Sequence, residues 1–202
     1  GAKASLVEPY TTQAPLGSDN PVDLWKWMAA TEDKTGSEVL AIAHNGNLSN
    51  GGMFPLVEAF GKPIDKSYVE TRARWERLYE ATQMKGDGET HPYLSPNDEF
   101  ADFEIMSVLL GNPPGRIAHI VGSYARQALK DGLALEDSKG FNPYKFGFGA
   151  ASDSHNTAVP YRQDNFFGGH SFTDGTPEAR MSGTLVGGMF DARREGTSGL
   201  TG

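Results

Sequence analysis

Apolar positions along the chain fall into two alternating kinds of stretch, helical-period segments and short continuous runs. Asn20-Pro21 opens the first helical segment: Asn suits the cap position and Pro the first turn. Val22 to Thr31 then carries Leu24, Trp25 and Met28 at helical spacing, and Gly36 follows the end. Glu38 to Ala43 is a continuous apolar run whose length fits a buried parallel strand, ending on the turn His44-Asn45-Gly46-Asn47. Ser67 to Tyr79 places Tyr68, Arg72, Trp75 and Leu78 on one helical face. Leu78 to Met84 reads as a second strand and runs into Lys85-Gly86-Asp87-Gly88-Glu89.

Further along, Ser95-Pro96-Asn97-Asp98 has the chemistry of a helix start, with Ser95 and Asp98 as candidate caps. Gly122 to Leu135 predicts a helix with Tyr124, Ala128, Leu129 and Leu133 on a shared face. Lys145 to Ala151 predicts a third strand, ending in Ser152-Asp153-Ser154-His155-Asn156. Strands alternating with helices predict an α/β fold with parallel strands. Gly1 to Pro21, rich in Pro, Thr and Ser, is an extended lead-in expected to pack outside the core; residues 22–202 form the domain.

Composition narrows the chemistry. A net charge of -8 without a basic run argues against nucleic acid, which needs clustered Lys and Arg. Cysteine is absent, so a metal would be held by His, Asp, Glu or water. No apolar run approaches the length of about 18 residues that a spanning helix needs, so no membrane is expected as a partner. No signal-peptide pattern is visible, and lack of cysteine leaves a periplasmic or secreted location open.

All three candidate strands end in polar loops, and parallel α/β folds collect their chemistry beyond the carboxyl ends of strands. His44 terminates the first strand as a candidate metal ligand; a histidine satisfied by backbone bonds is the competing reading. Asp153 and His155 are two apart, so in extended backbone they face the same way, and carboxylate with imidazole suits Zn, Mn or Fe. An ordinary turn with a surface histidine competes with that. Glu80 lies inside the second strand, where a buried carboxylate needs a metal or Lys85 as partner, unless it faces solvent. Lys85 is a candidate for stabilising an anionic oxygen and Glu89 for base or ligand; a solvated loop of salt bridges, His91 included, is the alternative. His119, among apolar neighbours, reads as structural, and His170 in a Gly-rich loop as a weaker substrate contact. Neither a phosphate-binding Gly-Lys-Ser/Thr loop nor a Gly-x-Ser-x-Gly elbow is present.

Three segments together carry a resemblance. They are Leu40-Ala-Ile-Ala-His-Asn-Gly-Asn-Leu-Ser-Asn50, the stretch from Tyr68 to Glu104, and Gly147-Phe-Gly-Ala-Ala-Ser-Asp-Ser-His-Asn156. The middle stretch includes Arg72-Ala-Arg-Trp-Glu76, Glu80-Ala-Thr-Gln-Met-Lys-Gly86 and Glu89-Thr-His-Pro92. Over roughly Pro21 to Phe167 the chain resembles a bacterial family known as domain of unknown function 3604. That family is similar to the PHP (polymerase and histidinol phosphatase) superfamily, which has a distorted β/α barrel and a metal cluster. The resemblance implies that His44, Asp153 and His155 bind divalent metal, and it places Glu80, a further candidate metal ligand, on a strand position whose role varies among relatives. It implies a metal-dependent hydrolase of small anionic esters, phosphoesterase-like.

Such relatives begin with a His-x-His strand and a later Asp-His motif, and neither precedes Pro21. The expectation is therefore a partial barrel, the C-terminal part of a longer domain. Its lacking strands would be supplied by a missing N-terminal segment or by self-association. A non-catalytic binding or assembly subunit that kept the fold is the rival expectation.

Overall fold

Capping chemistry sets the first helix. In the computed structural model, which describes residues 3–109, 115–155, 175–182, 185–186 and 190–191, α1 runs Pro21–Thr35. Asn20 Oδ1 accepts the Val22 N–H at 3.0 Å, and Gly36, left-handed at φ 68°, closes the far end. The strand that follows, β1, is only Ile42–Ala43. Val39 gives its N–H to Glu32 Oε1 (3.0 Å), and Ala41 gives its own to Trp75 O (3.1 Å). The first half of the expected strand is thus bonded outside the ladder.

A hairpin of β2 (Glu58–Ala59) and β3 (Lys62–Pro63) leads to α2, Lys66–Trp75, whose cap is Asp65. The expected second strand divides. Leu78–Glu80 (β4) joins the main sheet, while Thr82–Gln83 (β5) folds back antiparallel on Gly86–Asp87 (β6). Gly86 permits this break: its φ is +101°, and an added Cβ would lie 2.3 Å from Glu104 O. Met84 and Lys85 thereby become the two tip residues of a tight hairpin, both buried.

No helix forms at Ser95. Asp98 Oδ1 accepts the Phe100 N–H, and Ser95 shares a 2.8 Å hydroxyl bond with Thr90, so side-chain bonds of the kind that cap helices hold turns instead. A short hairpin, β7 (Val108–Leu109) with β8 (Gly115–Arg116), precedes α3, Ala125–Lys139. The inward face of α3 is Ala125, Ala128, Gly132 and Leu135, whereas Leu129 is half-buried and Leu133 is 66% exposed. Close approach of Asn142 decides this rotation: a Cβ on residue 132 would lie 2.2 Å from Asn142 Oδ1, so only glycine admits the contact. The third strand, β9, is Gly147–Gly149; α4 (Pro177–Met181) and the β10–β11 pair (Leu185–Val186, Phe190–Asp191) follow.

The main sheet is parallel, in the order β1, β4, β9, with α2 in the first crossover and α3 in the second. Among the described residues it has three strands and does not close into a barrel. One core cluster joins Phe54, Tyr79, Ala125, Ala128, Leu135 and Tyr144; another joins Trp25 and Met28 of α1 to Trp75 of α2. Leu40, Ile42 and Phe148 remain exposed. The lead-in lies along α1, with Lys3 Nζ on Thr35 O (2.9 Å) and the Tyr10 ring 5.8 Å from Trp27. Among the described residues no helix is long and apolar enough to cross a membrane.

Candidate functional site

Strand register builds the site. Ile42 pairs with Leu78 and Ala43 with Tyr79; on the other side Tyr79 pairs with Phe148 and Glu80 with Gly149. One step further, His44 falls level with Glu80 on the adjoining strand, about 4.8 Å away. Residues level with each other in a parallel pair project to the same face, and the side chains meet: His44 Nδ1 lies 2.5 Å from Glu80 Oε2. The carboxylate is largely covered and the imidazole half-exposed. A proton on Nδ1 donated to Glu80 leaves Nε2 with a free lone pair, the state in which histidine binds metal.

The turn after β1 is fastened to the β5–β6 hairpin. Asn45, left-handed at φ 58°, accepts the Gln83 Nε2 proton on Oδ1 at 2.7 Å. Buried Asn47 donates from Nδ2 to Lys85 O (3.0 Å), and the Lys85 N–H donates to Gln83 Oε1 (2.7 Å). Between them Gly46 lets the Tyr79 hydroxyl approach, where any Cβ would lie 2.2 Å from it. These bonds fix the backbone of Lys85, whose buried side chain runs to the third strand end. There its Nζ forms an ion pair with Asp153 Oδ2. Asp153 adopts φ 53°, a left-handed conformation that Asp tolerates better than most residues. Its Oδ2 is buried, and the ammonium is the group that faces it.

The structure therefore gathers four of the six residues singled out from sequence into two pairs, His44 with Glu80 and Lys85 with Asp153. His155, two residues beyond Asp153, is exposed. Among the described residues no three His, Asp or Glu side chains gather into a group able to hold a metal ion. His170 lies outside the described residues.

Glu89 is engaged elsewhere. Its carboxylate accepts Arg126 Nη2 at 2.6 Å, while Arg126 Nη1 reaches Asp98 Oδ2 at 2.5 Å. The carbonyls of Gly88 and Glu89 accept the Ala125 and Arg126 N–H groups, so this loop caps α3. Hydrogen bonding to Arg126 holds the Asp98 carboxyl below its usual range.

Asp87 was not distinguishable in sequence from its charged neighbours. Burial pushes its carboxyl up, outweighing the N–H bonds it accepts from Thr90 and Glu89. Burial, then the Asp87 charge, push the Tyr124 hydroxyl up to about 12. That hydroxyl is buried and has no hydrogen-bond partner. His91 packs its ring 5.4 Å from Tyr124 and accepts the Tyr93 N–H on Nδ1, and burial lowers its pKa. Alternation of Lys85, Asp87, Glu89 and His91 was the available signal, but it does not say which members turn inward.

A family model described as "Protein of unknown function (DUF3604)" matches residues 2–202. No curated protein and no solved structure matches the chain.

Proposed function

The chain belongs to the DUF3604 family, and we propose that it serves a metal-dependent hydrolase, phosphoesterase-like, built on a PHP-like β/α barrel. One observation carries the reading: the ends of three adjacent parallel strands bring His44, Glu80 and Asp153, with Lys85, to one edge of one sheet. Imidazole and carboxylate donors suit Zn, Mn or Fe, although the buried Oδ2 of Asp153 is already paired with the Lys85 ammonium. The donor types are those that hold such ions, with His155 as the remaining candidate, but among the described residues they stand in pairs and do not gather into one group.

The chemistry a divalent ion supplies when bound is a lowered pKa for water and a polarised phosphoryl oxygen. His44 offers Nε2 to it, while Glu80 holds the ring through Nδ1 and fixes its tautomer. In this reading Glu80 orients His44 instead of ligating directly. Asp153 supplies a carboxylate oxygen, and Lys85 supplies positive charge for an anionic substrate. Glu89, held by Arg126, takes no part.

Its test is hydrolysis of p-nitrophenyl phosphate and its diester by the full chain with Mn²⁺ or Zn²⁺. Turnover that requires the ion and is lost in His44→Ala and Asp153→Asn supports the reading; no ion-dependent turnover with either substrate overturns it. A binding or assembly subunit is the second reading, favoured by the ion pair that already neutralises Asp153.

A further inference from the structure

We propose that the cavity between α2, the start of α1 and the β2–β3 turn is a binding site for a small uncharged molecule with an apolar body and one carbonyl oxygen. The site is separate from the strand-end pairs and does not depend on the hydrolase reading. Ala43 of β1 lines the cavity, whereas His44, the next residue, projects to the other face of the sheet.

The cavity measures about 360 Å³, within the range of small-ligand pockets. Pro21, Ala43, Met53 and Phe60 give it apolar walls, and Tyr68, Arg72 and Glu76 line its α2 side. Arg72 is buried, and its Nη2 donates to Met53 O at 2.9 Å and pairs with Glu76 Oε2 at 3.0 Å. Its Nη1 makes one long bond, 3.5 Å to the Tyr68 hydroxyl. Among the described residues neither the second Nη1 proton nor the Tyr68 hydroxyl proton has a protein acceptor. Two donors so close together on a cavity wall suit one acceptor oxygen. A carboxylate or phosphate is the wrong acceptor. Glu76 already balances Arg72 and itself lines the cavity, so an anion would bury a second negative charge without a second cation. A carbonyl accepts from both donors and carries no charge.

Phe60 points the same way independently. With Gly61 it forms the two-residue turn between β2 and β3, and both have positive φ, 51° and 73°. Such turns favour Asn-Gly or Gly-Gly, and a bulky side chain there strains the backbone. Yet the Phe60 ring belongs to none of the core clusters and stays 51% exposed while lining the cavity. Strain kept without a packing role fits a ring that covers a ligand.

The experiment titrates the isotope-labelled full chain with three probes, read by amide NMR shifts. They are acetophenone, ethylbenzene (the same carbon skeleton without the oxygen) and benzoate, which is charged. Shifts should centre on Ser49, Gly52 and Tyr68, which line the cavity. Acetophenone should bind about tenfold tighter than either of the others, the worth of one net hydrogen bond. Tyr68→Phe keeps the ring that packs 5.3 Å from Trp25 and removes one donor. It should bring acetophenone down towards ethylbenzene and leave ethylbenzene unchanged. Phe60→Asn should withstand more urea than wild type, because the turn is relieved, and yet bind acetophenone about threefold more weakly, because an aromatic wall is gone. Acetophenone bound no tighter than ethylbenzene, benzoate bound as tightly as acetophenone, shifts centred away from the cavity, or no binding by any probe would each overturn the proposal. So would a folded Tyr68→Phe protein that keeps the full preference for acetophenone, or Phe60→Asn binding as well as wild type. Should Tyr68→Phe misfold, the three probes on the wild type decide alone.

Discussion

His44 Nδ1 meets Glu80 Oε2 at 2.5 Å across two adjoining parallel strands, one residue past the last paired position of β1. Carboxylates that accept from the far nitrogen of a ligating histidine typically change metal affinity about 10–100-fold when removed. Glu80→Gln should therefore weaken Mn²⁺ binding by about that factor while leaving some affinity, and His44→Ala should weaken it further. Glu80→Gln weaker than His44→Ala would instead make Glu80 the direct ligand. Titration of the three proteins with Mn²⁺ settles the order.

Tyr124 gives a pH dependence of stability. Its hydroxyl pKa is raised to about 12, above the ordinary value of 10.0. The unfolded chain thus loses this proton first. The stabilisation is complete below pH 10.0 and is lost as pH rises through about 12. Tyr124→Phe removes both the titration and a buried hydroxyl without a partner. At pH 7 the variant should equal or exceed wild type, by up to about 1 kcal/mol. Between pH 10.0 and about 12 its advantage should grow. Urea melts at neutral and alkaline pH measure the difference; an advantage that shrinks with pH would contradict the assigned direction.

Arg72 ties α2 to the core. It is buried, pairs with Glu76 Oε2 at 3.0 Å, donates to Met53 O at 2.9 Å and stacks over the Phe54 and Tyr144 rings. Glu76 in turn accepts from Trp25 Nε1 at 3.0 Å. Lysine keeps the charge but not the planar fork. Arg72→Lys should cost about 2–3 kcal/mol in urea unfolding, through lost charge-assisted bonds. Trp25 fluorescence should move in the folded state because its indole bond runs through the same carboxylate. A cost near zero would mean that the network is dispensable.

Much of this was legible in the chain. Asn20-Pro21 and Gly36 mark the ends of α1 because capping is local chemistry. The order of strands and helices, and the placement of His44 and Asp153 in the polar stretches after β1 and β9, follow from apolar runs meeting polar turns. Strand lengths did not follow. Val39 gives its N–H to Glu32 Oε1 on α1 and not to the ladder, and Thr82–Gln83 folds back on Gly86–Asp87, where Gly86 packs closely against Glu104 O. The inward face of α3 depends on Asn142 meeting Gly132, a tertiary contact that helical periodicity does not encode. The Lys85–Asp153 pair was equally hidden, since it exists only because Met84 and Lys85 become a hairpin tip.

Gly46 shows how the core positions the site without touching an ion. Tyr79 is buried, with its ring 5.2 Å from Phe54 and 5.6 Å from Phe146, and its hydroxyl donates to Gly88 O at 3.3 Å. An added Cβ at Gly46 would sit 2.2 Å from that hydroxyl and 2.9 Å from two ring atoms, and one at Gly88 would sit 2.5 Å from it. The ring is enclosed, so the turn carrying His44 and Asn45 must yield instead. Gly46→Ala should cost about 1–3 kcal/mol, as overpacking does, and should weaken Mn²⁺ binding by moving His44 relative to Glu80. Tyr79→Phe alone should cost about 1 kcal/mol for the lost hydrogen bond. In the double variant the closest clash is gone but the ring atoms at 2.9 Å remain. The combined cost should then fall short of the sum of the single costs by about 0.5–1 kcal/mol, the coupling expected of residues in contact. Mn²⁺ affinity should recover in the same step. Strict additivity in a thermal or urea double-mutant cycle would show that Gly46 is required for some reason other than room for the Tyr79 hydroxyl.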